Sequence, residues 1–199
     1  MSVTESHYMV DLETLGQKPG CAIISIGAIR FDPYRVDDSY DEMTGQLYNR
    51  SFYRTIDMKS CVDIGLTLEP DTIKWWLTQK EKVRLEFAGD HPHIRTVLAE
   101  FSAWINTQVL EPTLWGNGAT FDNVILEAAF QKAGMKFPFR YYNSLCYRTL
   151  TSLGLVNKKK EFTRYGVYHN ALDDAASQAI FMQKIMSKIR SLPLFHDHE

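Results

Sequence analysis

Little in this chain is extreme, and each shortage excludes something. Three cysteines among 199 residues, Cys21, Cys61 and Cys146, share no metal-type spacing, and an odd number argues against a disulfide framework. That leaves a reducing, cytoplasmic setting as the expectation. No apolar run approaches the roughly 20 residues needed to span a bilayer, so no membrane partner is expected. The first seven residues are polar, and the apolar stretch after them already carries Asp11 and Glu13, unlike a secretory signal. A formal net charge of -2 offers no global attraction to nucleic acid. It excludes none either, because acidic metal ligands lower the net charge while bound cations restore local positive potential. Internal repeats, low-complexity tracts and Gly/Ser linkers are also missing. A hydrophobic content of 45% is that of a folded globule, and one domain over 1–199 is expected, with a core of about 7–190 and a loosely ordered tail at 191–199.

What is present falls into two halves. Residues 7–13 read as a short buried strand ending in two acids, 22–32 as a long β-branched strand, and 47–56 as a third. Turns between them imply an antiparallel meander. Helices are then predicted over Thr72–Gln79, Ile94–Thr107, Phe121–Lys132 (Thr120 capping, Gly134 stopping) and Ala171–Ile189, with strands at Thr113–Trp115 and Tyr141–Cys146. A helix is also expected to open near Arg148. Three strands followed by alternating helix and strand specify an α/β fold, a mixed five-stranded sheet with helices on both faces.

The most informative fragment is Tyr168-His169-Asn170-Ala171-Leu172-Asp173-Asp174. Asn170 is a natural helix N-cap, so His169 precedes the first turn and Asp174 projects from it. Asp11 and Glu13, two apart on a strand, share one face. Asp122 opens another helix. Singly, each acid is best read as a solvated strand end or helix start, and Asp173 is an alternative to Asp174 whose expected role is support of the helix dipole. Together they make four carboxylates and one histidine at strand and helix ends. Such hard oxygen donors suit Mg²⁺ or Mn²⁺ rather than zinc. Two such cations roughly 3.5–4 Å apart clamp an in-line phosphoryl displacement, with a neutral histidine positioned to take a proton from water.

Asp11-x-Glu13, Asp122 and His169-x-x-x-x-Asp174 resemble the three motifs of the DEDDh 3'–5' exonucleases of the ribonuclease H-like superfamily. The fuller strings are Met9-Val10-Asp11-Leu12-Glu13-Thr14-Leu15-Gly16, Thr72-Ile73-Lys74-Trp75-Trp76 and Trp115-Gly116-Asn117-Gly118-Ala119-Thr120-Phe121-Asp122. They resemble the phage DexA-like and mycobacterial exoribonuclease-like branch, from about residue 7 to about residue 188. Asn117 stands five residues before Asp122, where the commoner motif has four, which leaves its role open.

The resemblance implies two divalent cations held by Asp11, Glu13, Asp122 and Asp174, with Asp11 bridging and Asp122 acting directly or through water. His169 becomes the general base. Glu13 and the backbone at Leu12 and Thr14 would receive the terminal 3'-hydroxyl, and Leu15 would wedge against the last base. Asn117 and Phe121 are further candidate substrate contacts, and Arg148 a candidate phosphate contact. Trp75 and Trp76 cannot both face the core; core is the first reading for each, and stacking on a base or a second subunit the other. Lys158-Lys159-Lys160 and Arg164 read first as solvated loop charge, and second as phosphate contacts overhanging the site. The implied activity is release of nucleoside monophosphates from single-stranded RNA or DNA, or from a 3' overhang. The rivals are a non-catalytic nucleic-acid-binding protein on the same fold and a phosphodiesterase restricted to oligonucleotides. Sugar preference and oligomeric state stay open, with a homodimer as the form the resemblance suggests.

Overall fold

The computed structural model describes residues 7–35, 50–81, 89–105, 111–118 and 120–193. Five strands form one sheet in the order β3-β2-β1-β4-β5: β1 (His7–Thr14), β2 (Ile23–Phe31), β3 (Ser51–Thr55), β4 (Thr113–Gly116) and β5 (Ser144–Cys146). The first three are antiparallel, and β1–β4 and β4–β5 are parallel, so the sheet is mixed as expected. Its helices are α1 (Met58–Asp63), α2 (Pro70–Leu77), α3 (Ile94–Trp104), α4 (Asp122–Lys132), α5 (Tyr147–Ser152), α6 (Lys158–Glu161) and α7 (Ala171–Arg190).

Alternation along β1 explains why the acids lie where they do. Tyr8, Val10 and Leu12 point into one apolar core with α3 and α4 residues such as Phe101 and Ile125. Met9 points into the other, with Trp115, Phe181 and Met182. Asp11 and Glu13 continue the Met9 face, where α7 crosses β1 and β2. In register, Asp11 sits opposite Gly27 of β2. A Cβ on Gly27 would lie 2.1 Å from the carbonyl carbon of Ala171, so only glycine lets the first turn of α7 settle on the sheet beside Asp11.

Several boundaries differ from expectation. The predicted strand at 47–56 is confined to Ser51–Thr55 among the described residues; 47–49 lie outside them. Of Tyr141–Cys146 only the last three residues pair with β4, after a 3₁₀ turn at Tyr141–Asn143 that leaves Tyr141 almost fully exposed. The Lys158–Lys160 run is a single helical turn rather than a loop. Helix α1, capped by Asp57, has a six-residue span with no clear sequence period. The predicted helix at Ile94–Thr107 ends at Trp104, and 106–107 lie outside the described residues, as do 194–199. Gly134 does stop α4, in a left-handed conformation. Thr120 does not cap it: Phe121 holds the N-cap position, without a side-chain hydrogen bond.

Candidate active site

Strand β1 brings Asp11 and Glu13 to the sheet surface, α4 brings Asp122 behind them, and α7 brings Asp174 across them. Glu13, His169 and Asp174 each present a ligand atom within 4.8 Å of the others. Asp11 joins these three in lining a cavity of about 230 Å³ that also includes Asn117 and Gln178. Asp122 stands apart from that group. Only 2 % exposed, it accepts a hydrogen bond from the Leu12 N–H at 3.2 Å and others from the Asn117 N–H and its own.

The electrostatics are those of acids packed against their preference. Burial, then repulsion from Asp122 and Glu13, pushes the Asp11 carboxyl well above its ordinary range, against the pull of the Gln178 amide and Arg164. Burial pushes Asp122 up to about 7, outweighing its backbone donors and the nearby Arg148. A set of mutually repelling carboxylates with this much oxygen fits a hard divalent cation, which would supply the missing positive charge. Within the chain, part of that charge comes from Arg164, whose guanidinium pairs with Asp174 Oδ1 and stacks over the Tyr168 ring at 4.2 Å.

His169 arrives on a segment held almost wholly by α7. Alternate backbone N–H groups are bound in turn: Tyr165 to Ser177 Oγ at 3.0 Å, Val167 to Asp173 Oδ2 at 2.6 Å, and His169 to Asp174 Oδ2 at 3.2 Å. Asn170 caps the helix, its Oδ1 accepting from Asp173 N at 3.2 Å. His169 itself has φ 64°, a left-handed backbone that is uncommon outside glycine and gathers at functional sites. Its imidazole packs edge-on to Trp75, ring centroids 5.0 Å apart. Burial, then Arg164, lowers its pKa, keeping the ring neutral near pH 7. Asp173 is thus a clasp on the histidine segment rather than only a dipole partner, and Gly166 serves the same clasp. A Cβ there would lie 2.1 Å from the Asp173 carboxyl, and φ is +67°.

Beside this cavity opens a cleft of about 700 Å³, lined by Glu13, Thr14, Trp75, Gly118, Phe121, Arg148 and His169 among others. Trp75 is 44 % exposed in it, whereas Trp76, at 4 %, is core and donates its indole N–H to the Thr14 carbonyl at 2.8 Å. Reading both as core is corrected for Trp75. One substrate contact also needs correction. Leu15 is 2 % exposed within the core and does not line the cleft, because a register shift at Glu13/Thr14 takes β1 out of alternation just before it. Leu12 and Thr14 do line the cleft; there the Leu12 N–H donates to Asp122 and the Thr14 carbonyl accepts from Trp76. Arg148 lines the cleft and makes no ion pair among the described residues. Lys158 lies near enough to Arg148 and Arg164 for both to lower its pKa, after burial.

The mixed sheet and the acids it carries fit a 3'-5' exonuclease domain. Residues 6–186 match the 3'-5' exoribonuclease Rv2179c-like domain, and the chain belongs to that family. It is also 30% identical over 125 residues to the exodeoxyribonuclease of enterobacteria phage T4, a match covering 60% of this chain and 53% of the phage protein. The chain spans about half the length of that curated relative. The crystal structure of the nuclease domain of 3'hExo, a DEDDh family member bound to rAMP, superposes with a TM-score of 0.58 at 16% identity, covering 93% of each chain. No helix among the described residues is long and apolar enough to cross a membrane.

Proposed function

We propose that the chain is a divalent-metal-dependent 3'–5' exonuclease that releases nucleoside monophosphates from single-stranded ends or 3' overhangs. The convergence of β1, the histidine segment and the start of α7 on one acidic cavity, with Asp122 of α4 behind it, carries this reading. Family membership supports it. Asp11, Glu13 and Asp174 would hold Mg²⁺ or Mn²⁺, with Asp122 acting from behind. When bound, two such ions lower the pKa of the attacking water and neutralise charge on the reacting phosphate.

The chain's own residues do the rest. His169, neutral because burial and Arg164 disfavour its cation, takes a proton from water through an imidazole nitrogen. Its backbone bond to Asp174 ties that nitrogen's position to the metal ligand. Trp75 and Phe121 give the cleft apolar surface for a terminal base, a contact of about 1–3 kcal/mol by stacking. Arg148, which makes no ion pair among the described residues, is available to a backbone phosphate.

The test is incubation with 5'-labelled single-stranded RNA and DNA of equal sequence in Mn²⁺, Mg²⁺ or EDTA. A metal-dependent ladder shortening from the 3' end is expected. The faster substrate decides a sugar preference on which relatives differ, one described as an exoribonuclease and one as an exodeoxyribonuclease. Retarded mobility without cleavage would overturn the proposal in favour of a binding protein.

A further inference from the structure

Helix α7 delivers two polar groups to the acidic cavity, one turn apart on one face: Asp174 and, four residues on, Gln178. Gln178 is 6 % exposed, and its Nε2 donates to Asp11 Oδ1 at 2.7 Å. Its Oε1 is buried with no partner among the described residues. The orientation follows from charge. With a cation bound, the Asp11 carboxylate is ionised, and an amide turned the other way would set acceptor against acceptor. So the donor faces Asp11 and the carbonyl faces away.

A half-satisfied buried amide is a poor choice for stability alone. Its neighbours along α7, Ala175, Ala179 and Met182, are apolar and buried, and a methionine of similar length would fill the space without an orphaned oxygen. Two consequences remain. The bond to Oδ1 pins the Asp11 carboxylate, whose other oxygen makes no hydrogen bond among the described residues. Gln178 lines a cavity wide enough for ordered water, and its buried Oε1 is an acceptor with no partner among the described residues.

We propose that Gln178 is the positioning residue of the cation site: its amide N–H fixes Asp11 in the ligand orientation, and its amide oxygen accepts from a water that enters with the cation. This rests on the exonuclease reading above. Mg²⁺ and Mn²⁺ sites suit such an arrangement, because these ions are bound through few carboxylates and Mg²⁺ keeps several of its waters. Partners that orient a metal ligand are worth about ten- to a hundredfold in metal affinity.

The full chain titrated with Mn²⁺ alone, followed by the loss of free-ion electron paramagnetic resonance signal, reads this without nucleic acid. Gln178→Met should weaken Mn²⁺ binding about ten- to a hundredfold, while its melting temperature in EDTA stays at or above that of the unsubstituted chain. Gln178→Asn, which keeps the amide but shortens its reach by one methylene, should lose affinity in the same way. It also stands in if the methionine variant does not fold. The Mn²⁺ concentration for half-maximal degradation should rise in parallel. Unchanged Mn²⁺ affinity in either folded variant overturns the role of Gln178 and leaves the exonuclease reading standing. Failure of the unsubstituted chain both to bind Mn²⁺ and to degrade nucleic acid overturns that reading and this inference with it.

Discussion

The two halves of the site are held in place by different means. Asp11 and Glu13 are carried by a strand paired with β2 along its length and with β4 up to Val10, whose opposite face is packed into the main core. Their positions are fixed by the backbone ladder before any side chain acts. His169 belongs to no strand or helix. Its segment is held by three side chains of the first two turns of α7, each taking one backbone N–H, and it adopts a left-handed φ at the histidine. The acid half is rigid by topology; the base half is rigid only while its side-chain clasps hold. Metal binding and proton transfer should therefore be separable by mutation.

Breaking the acid half gives the largest effect. Asp11→Asn should reduce turnover by at least about a thousandfold, since the two-ion arrangement loses a ligand. The metal-free fold should nevertheless gain stability, because one of three mutually repelling buried acids becomes neutral. A melting temperature raised in EDTA, by about 2–4 °C per kcal/mol gained, is the check; a large drop would place Asp11 in the fold rather than the site.

His169→Ala removes the base and leaves the acids. Turnover should fall by about a hundred- to ten-thousandfold, with Mn²⁺ affinity much less affected. Single-turnover rates alongside a Mn²⁺ titration separate the two, and equal losses in both would make the imidazole chiefly a ligand.

Gly166→Ala attacks the clasp without touching either functional group. The added Cβ meets the Asp173 carboxyl and sits at a strained φ, so the Val167 N–H loses its partner. Turnover should drop about tenfold, the misplacement of a reacting group being costly, while metal affinity holds. Loss of metal binding here would mean that the two halves are not independent.

The smallest effect is a pH trend that sharpens the account of the acids. Asp122 titrates at about 7 in the fold and near 3.8 when unfolded. Between pH 4 and 7 the folded chain therefore holds a proton that the unfolded chain has released. Stability without metal is full below about pH 4 and falls as pH rises through 7, by a few kcal/mol at most. Thermal melts in EDTA should show that decline, and Mn²⁺ should flatten it. A rise in stability over the same window would contradict the burial of Asp122 as an uncompensated acid.

Much of this was readable beforehand, for reasons tied to particular residues. Strand alternation puts Asp11 and Glu13 on one face whatever the rest of the fold does, and Asn170 caps a helix by local hydrogen bonding alone. Both signals live within a few residues. Arg164 looked like solvated charge because its carboxylate partner lies ten residues on, across a turn. The two tryptophans could not be told apart because the indole of Trp76 finds its acceptor, the Thr14 carbonyl, 62 residues away. The wedge that the resemblance implied for Leu15 fails because β1 shifts register at Glu13/Thr14 and Leu15 packs into the core.

By itself the sequence determined which chemical groups the chain owns, the elements that carry them and the family to which it belongs, since periodicity, capping and motif spacing are local properties. Only the tertiary structure decided that Gln178 reaches Asp11 across 167 residues, that Asp122 stands behind the ligand group, and that Trp75 is exposed at the cleft while Trp76 is buried. Each of these depends on where α2, α4 and α7 cross the sheet. That is set by the packing of two cores and by the close approach at Gly27, and no local pattern encodes it.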